Sequence, residues 1–249
     1  MIVRFSLVIP VHDEANMLPL TLTDIRKLKA NEVIFVLDRC TDSTEKIIRD
    51  FWKKYDSGAR LVLLRIQRES RWRMHLNFLY DIGIRKAESK IVLLSQADIL
   101  HDYGKINRNI KDALHGMVSF AVSEHPHVSP WNHFITRVLQ RGGGKIGIQR
   151  FSGVIALNKK GYLKKPLKPN DPFLFDTQLQ QNFPNYKFQP SRNLNLRPWV
   201  KNKLWMAGLH RYQLGKPLWK PLLFSMLRLT PKFFAGYAYA KWRKHDATA

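Results

Sequence analysis

The sequence holds a single cysteine, Cys40, in 249 residues. An internal disulfide and a multi-cysteine zinc site are therefore excluded, and a reducing compartment is the default. Acidic residues are scarce as well: 19 Asp and Glu stand against 42 Lys and Arg, a formal net charge of +23. Such a field favours polyanions, whether nucleic acid, anionic lipid or phosphorylated substrate, and says nothing about fold. No run of about 18 or more apolar residues occurs, because even the apolar C-terminal region is cut by Lys220, Arg228, Lys232 and several prolines. A membrane-spanning helix is not expected. The opening MIVRFSLVIPVHDEA has an apolar run too short for a secretory signal, broken by Pro10 and an acidic pair, and reads as a buried first strand. Repeats and low-complexity tracts are missing too, which argues against a solenoid or a long disordered linker.

What is present is enough apolar material, 45% hydrophobic and 12% aromatic, to bury the core of one α/β domain with an appendage. Phe5 to Ile9 is β-branched and apolar, Leu18, Leu22, Ile25 and Leu28 recur at helical spacing within residues 16–29, and Glu32 to Leu37 returns to a buried-strand pattern. Thr41 to Thr44 offers caps for a helix through Ile47, Ile48 and Phe51; a strand follows at Arg60 to Ile66, then a helix at about Met74 to Lys86 and a strand at Lys90 to Leu94. Strands alternating with helices of this length imply βαβ units and a mostly parallel sheet. Ligands in such sheets bind beyond the carboxyl ends of the strands, which places His12-Asp13-Glu14, Asp38 to Thr44 and Ser95 to Asp98 on one rim.

Those three clusters carry a family resemblance. Val8-Ile9-Pro10-Val11-His12-Asp13-Glu14-Ala15 resembles the opening motif of family 2 glycosyltransferases, with Asp13 where that family has asparagine. Val36-Leu37-Asp38-Arg39-Cys40-Thr41-Asp42-Ser43-Thr44 is similar to its second strand end, and Gly83-Ile84-Arg85-Lys86-Ala87 followed by Ile91 to Asp98 is similar to the stretch ending in a metal-binding Asp-x-Asp. Beyond residue 100 the likeness thins to Phe151-Ser152-Gly153 and Asp176-Thr177-Gln178-Leu179. The resemblance implies a GT-A fold, a Rossmann-like α/β sheet flanked by helices, and an inverting transfer of a hexose from a UDP- or GDP-linked donor. It implies a domain over residues 1–215, its donor half in 1–100 and its acceptor half in 101–215; the composition of residues 216–249 reads separately as a basic, aromatic-rich helical extension.

A departing diphosphate needs its charge neutralised, and Mn2+ or Mg2+ held by one or two carboxylates plus phosphate oxygens does this. By resemblance Asp98 is the metal ligand; Gln96, in place of the first aspartate, offers an amide for a ribose or a metal-bound water, and Ala97 lies between them in the donor-binding segment. Asp38 would bind the nucleotide base, with Glu14 and the Pro10 backbone near base and ribose, and Arg73 of Arg71-Trp72-Arg73 near the donor phosphates. Asp176 is the candidate base for the acceptor hydroxyl and Asp171 its competitor, although Asn170-Asp171-Pro172 reads as a turn. Ordinary structural roles stand beside these: Asp98 as a turn cap, Asp38 and Thr41 as helix caps, Asp176 as a helix-start residue.

Other motifs are weaker. His210 is a candidate late metal ligand, Arg211-Tyr212 faintly resembles the end of a processive-synthase motif that lacks its glutamine here, and His125-Pro126-His127 has ligand-like spacing without a carboxylate cluster. Arg141 to Lys145 is not a phosphate-binding Walker loop, because Ile146 follows the lysine. After Asp176 the only acidic side chain is Asp246, while Trp199, Trp205, Trp219, Phe224, Phe233, Phe234, Tyr237, Tyr239 and Trp242 alternate with basic residues. That pattern suits either a helix in an anionic membrane interface or an amphipathic helix packed on the domain. The first makes a lipid-linked acceptor attractive, beside a glycan or phosphorylated one, and a cytoplasmic location peripheral to the inner membrane face. Two other classes stay open: a catalytically inactive GT-A-like binding module, and a nucleic-acid-binding protein, for which zinc-finger, RNP and basic-zipper signatures are all missing.

Overall fold

The computed structural model describes residues 3–55, 58–124, 131, 152–171, 174–196, 218–228 and 231–246. It divides into two compact units, one of residues 1–124 and 151–196, the other of residues 125–150 and 197–249. The expected boundary between residues 215 and 216 falls outside the described residues.

The first unit opens with three βα pairs: β1 (Phe5–Val11), α1 (Leu18–Lys27), β2 (Glu32–Asp38), α2 (Thr44–Lys54), β3 (Arg60–Ile66) and α3 (His75–Lys86). There follow β4 (Ile91–Leu94), β5 (Ile99–Leu100), α4 (Tyr103–Leu114), β6 (Val118–Glu124), β7 (Ser152–Asn158), α5 (Lys159–Lys164), α6 (Phe175–Asn182) and β8 (Tyr186–Asn195). All eight strands form one sheet in the order β3-β2-β1-β4-β7-β6-β8-β5. The β3-β2-β1-β4 half is parallel, β7 runs antiparallel to β4 and β6, and β8 is parallel to β6. This is the mostly parallel, helix-flanked α/β sheet that the strand and helix spacings predict.

Alternation along the strands sorts the core into two layers. Phe5, Leu7, Ile9 and Val11 of β1 join Leu18, Leu22 and Ile25 of α1, Ile48 of α2 and Ile106 and Ile110 of α4. Val8, Ile34 and Val36 face the other way, against Leu79, Tyr80 and Ile84 of α3 and Tyr162, Phe175 and Leu179. Gly83 sets how close α3 lies: a Cβ there would stand 2.3 Å from Val8 Cγ1. β1 runs two residues beyond the expected Ile9 through Pro10. The proline is tolerated because β4 pairs with β1 only over Phe5 to Val8, so no ladder bond to β4 is missing at Pro10. α1 begins at Leu18 instead of residue 16, with Pro19 in its first turn, where a missing N–H costs nothing.

In the second unit, α7 (Trp219–Arg228) and α8 (Pro231–Asp246) pack on each other. Ser225 and Tyr237 are buried, whereas Trp219, Met226 and Trp242 are 54%, 66% and 61% exposed. No helix among the described residues is long and apolar enough to cross a membrane.

Candidate functional site

The carboxyl ends of β1, β2 and β4 lie side by side in the parallel half of the sheet, so the three polar clusters share one rim. Two backbone turns shape it. Asp13 and Arg39 both take left-handed φ angles, 50° and 48°. For Asp13 the conformation is favourable because Asp tolerates it and its carboxylate gains partners. It accepts from the Thr41 amide at 2.7 Å, the Thr41 hydroxyl at 3.0 Å and the Asp42 amide at 3.2 Å. The Thr41 amide bond leads the causes that hold the Asp13 carboxyl below its usual range. An asparagine Oδ1 would accept the same two amide bonds, while its Nδ2 could only donate to the Thr41 hydroxyl, so the departure at Asp13 keeps the turn and adds one acceptor. The Glu14 amide donates to Thr44 Oγ1 at 2.7 Å, and Asp42 accepts from the amides of Ala15 and Thr44. Capping at α2 thus falls to Asp42, while Thr41 and Thr44 tie the β1 and β2 loops together.

Asp38 is buried at the end of β2. Oδ1 accepts from Arg39 Nε at 2.9 Å and from His75 Nε2 at 2.9 Å, and Oδ2 accepts from Arg39 Nη2 at 3.1 Å. Burial alone would raise the Asp38 pKa, but the hydrogen bonds from Arg39 and His75 outweigh it and hold the carboxyl below the usual range. The tautomer of His75 follows from its other nitrogen: Nδ1 accepts from the Ser70 amide at 3.0 Å, so the proton sits on Nε2 and points at Asp38. His12 Nδ1 donates to the Asp38 carbonyl at 2.6 Å. Asp38 is therefore held by Arg39 and His75 and makes no cap at the start of α2.

The β4 end is held from several sides. The Ser95 amide donates to the Val8 carbonyl at 3.0 Å, the Leu196 amide to the Asp98 carbonyl at 2.7 Å, and the Tyr80 hydroxyl to the Ser95 carbonyl at 3.0 Å. Ala97 and Asp98 are buried and Gln96 is half-buried. Tyr80 brings the two halves of the candidate site together. Burial pushes its hydroxyl above the ordinary range, the Asp98 carboxylate adds to the rise, a hydrogen bond with the Gln96 side chain opposes it, and Asp176 raises it further. Gln96, Asp98 and Asp176 thus all act on one phenol, which stays protonated.

Asp176 is buried in the first turn of α6, and its Oδ1 accepts from the Thr177 amide at 2.8 Å. Phe175, where the resemblance has an acid, lies with its ring centroid 4.3 Å from that of Tyr80 and fills the space between α3 and α6. Asp171 sits in a turn whose amide donates to the Lys168 carbonyl at 3.3 Å. Arg73 is exposed, and its amide donates to the Pro169 carbonyl at 2.9 Å. Pro10 and Glu14 are half-buried at the rim. His210, Arg211, Tyr212, His125 to His127 and Arg141 to Lys145 lie outside the described residues. Sequence reasoning missed Tyr80, His75 and Arg39. His75 stands two residues after Arg73, at the start of the helix that leads to Gly83, but its partner Asp38 lies 37 residues away and no local signal marks it.

Among the described residues no group of three or more His, Cys, Asp or Glu could cage a metal unaided. The donor set at the β4 end, one buried carboxylate with a neighbouring amide, fits instead a hard cation that shares a diphosphate's oxygens, as Mg2+ and Mn2+ commonly do.

A parallel sheet with acidic and amide side chains gathered at its strand ends is a nucleotide-binding α/β architecture. The chain belongs to glycosyl transferase family 2, whose model matches residues 6–176. Its fold is similar to that of the Mannosyltransferase PcManGT from Pyrobaculum calidifontis in complex with GDP-Man and Mn2+, with a TM-score of 0.62 and 18% identity, over 96% of this chain and 75% of that one. S. aureus TarS 1-349 in complex with UDP-GlcNAc gives a TM-score of 0.58 at 15% identity, over 85% of this chain and 64% of that one. Glucosyl-3-phosphoglycerate synthase from Mycobacterium tuberculosis, in complex with Mn2+, UDP and phosphoglyceric acid, gives 0.57 at 14% identity, over 87% of this chain and 78% of that one. This chain thus spans less than two thirds of the TarS fragment. No curated protein matches it.

Proposed function

We propose that this chain is an inverting glycosyltransferase that moves a hexose from a UDP- or GDP-linked donor to an acceptor oxygen. The observation that carries the reading is the shared rim at the carboxyl ends of β1, β2 and β4, which brings Asp13, Asp38 and the buried Asp98 to the edge where α/β sheets bind nucleotides. The three similar structures carry UDP, UDP-GlcNAc or GDP-Man, and two of them carry Mn2+, which supports a nucleotide-sugar donor and a divalent cation.

Asp38, held ionised by its partners, accepts a hydrogen bond from the donor base, with Glu14 and the Pro10 backbone beside base and ribose. Asp98 would hold a Mn2+ or Mg2+ ion, with the Gln96 amide on a ribose or a metal-bound water, and the ion would supply charge neutralisation to the departing diphosphate. Asp176 takes the proton from the acceptor hydroxyl as that oxygen attacks the anomeric carbon opposite the leaving group, which inverts the centre. Arg73, on the exposed loop before α3, is the basic residue assigned to the donor phosphates. An acceptor held at an anionic membrane surface is the finer part of the reading, supported by the exposed aromatic residues and lysines of α7 and α8.

Turnover of a panel of UDP- and GDP-sugars with Mn2+ tests the proposal, with Asp98→Ala expected to abolish it. Asp176→Asn should lower the rate constant by roughly 10²-fold or more at nearly unchanged donor affinity. Binding of nucleotide-sugar with no turnover would favour the inactive-module reading, to which Gln96 and Phe175 lend support. Full activity of Asp98→Ala in EDTA would remove the metal from the scheme, and a dead Asp171→Asn beside an active Asp176→Asn would move the base to Asp171.

A further inference from the structure

A second buried polar chain lies beneath the rim, and nothing in the proposed chemistry uses it. His101 follows β5, and its imidazole is fully excluded from solvent. The Asp24 carboxylate of α1 accepts from imidazole Nδ1 and, at 3.1 Å, from the His101 amide, while the Tyr103 hydroxyl donates to its other oxygen. On the opposite side of the ring, Nε2 lies 2.8 Å from Ser95 Oγ. With a carboxylate on Nδ1 the proton belongs there, so Nε2 accepts and the Ser95 hydroxyl donates.

Acid, imidazole and serine stand in the order of a hydrolase relay, but Ser95 has no exposed surface, so no substrate carbonyl reaches its oxygen. What Ser95 does adjoin is Gln96, and Asp98 lies three residues on. We propose that Asp24, His101 and Ser95 form a positioning chain that anchors the Gln96–Asp98 segment to α1 and so presets it for a diphosphate-bound cation. The proposal rests on the donor-site reading above. The chain supplies the side-chain anchor of a segment whose backbone is already fixed by Val8, Tyr80 and Leu196. A cation tolerates only a few tenths of an ångström of error in its ligands, so the partners that orient a ligand segment matter nearly as much as the ligands.

Ser95→Ala, which deletes one buried hydroxyl, and Asp24→Asn are the test variants. UDP and GDP are titrated calorimetrically into each, with Mn2+ and separately with EDTA, and thermal melting reports the fold. The affinity of the better nucleotide in Mn2+ should fall about tenfold or more, the loss typical of an orienting partner. Its affinity in EDTA should stay at the wild-type value. Imidazole 15N shifts should place the His101 proton on Nδ1 in the wild type. Undiminished Mn2+-dependent affinity in a folded Ser95→Ala protein would overturn the proposal even if Asp24→Asn does not fold. So would an equal loss in EDTA, which would mean that the chain supports the fold and not the segment. Wild-type protein that binds neither nucleotide in Mn2+ would overturn the donor-site reading itself, and this proposal with it.

Discussion

His75 Nε2 donates to Asp38 Oδ1 at 2.9 Å, joining the first residue of α3 to the last residue of β2. Arg39 holds the same carboxylate from its own side through Nε and Nη2. The two partners differ in kind. His75 is itself fixed by the Ser70 amide, whereas Arg39 is a flexible cation that occupies lone pairs a nucleotide base would use. His75→Ala should therefore weaken UDP or GDP binding about tenfold, the worth of one hydrogen bond to a charged group. Arg39→Ala should tighten it, because Oδ2 becomes available and Oδ1 keeps only the His75 bond. Calorimetric titration decides, and a tighter-binding His75→Ala protein would take Asp38 out of the donor site.

Glu45 in the first turn of α2 predicts a pH dependence of stability. It accepts from Arg65 Nε of β3 at 2.8 Å and from Arg49 Nε at 2.7 Å, and the Arg65 bond leads the causes that lower its pKa from 4.5 to about 2. A depressed carboxyl stabilises the fold above its unfolded pKa, and this contribution is lost as pH falls towards the folded value. Both arginines are 51% exposed, so screening limits the effect to about 1 kcal/mol. Glu45→Gln should lower the melting temperature at neutral pH by about 3 °C. That difference from wild type should narrow as the pH drops from 4.5 towards 2. A difference constant across that range would remove the ion pair as its source.

Gly83 makes a packing prediction that needs no assumption about function. Its absent Cβ would lie 2.3 Å from Val8 Cγ1 and 3.3 Å from Val36 Cγ2, on two strands whose β-branched side chains have no free direction to turn. Gly83→Ala should cost about 1–3 kcal/mol by overpacking, although alanine is the better helix former. Val8→Ala in the same chain should return part of that loss. A double-mutant cycle by urea denaturation checks the coupling, and additive effects would contradict the contact.

The parallel half of the fold was legible because each element announces itself locally. β1, β2 and β4 are continuous apolar runs, α1 repeats at helical spacing, and the strand-end rule then places Asp13, Asp38 and Asp98 on one rim. His75, Tyr80 and His101 were not legible, because their meaning lies in partners far along the chain. His75 meets Asp38 across 37 residues, Tyr80 meets Ser95 across 15 and His101 meets Asp24 across 77. Tyr80 in particular reads as one more core aromatic of α3 until its hydroxyl is seen to donate to the Ser95 carbonyl at the β4 end. The β6-β8 pairing escaped for a different reason: β8 carries Pro190 and its register against β6 shifts between Ala121 and Ser123, so no simple alternation marks it.

The basic helices α7 and α8 yield the last prediction. Residues 217–244 contain Lys220, Arg228, Lys232, Lys241, Arg243 and Lys244 and no acidic residue. Trp219, Leu222, Leu223, Met226, Tyr239 and Trp242 are exposed on the same two helices, with Lys232 and Lys241 exposed beside them. Each basic residue near an anionic leaflet contributes about 1 kcal/mol, and inserted aromatics add area-dependent burial, so together they hold a protein at a surface without a spanning helix. The intact chain should co-sediment with phosphatidylserine-containing vesicles and not with phosphatidylcholine alone, and added salt should weaken the binding by screening the basic side chains. Trp219→Ser combined with Met226→Ser removes exposed apolar surface without touching the buried Ser225 or Tyr237, so the fold should persist while vesicle binding falls. Binding that survives this double substitution but vanishes in salt would reduce the contact to charge alone. An intact protein that ignores anionic vesicles altogether would remove the membrane from the proposed function, and with it the main support for a lipid-linked acceptor.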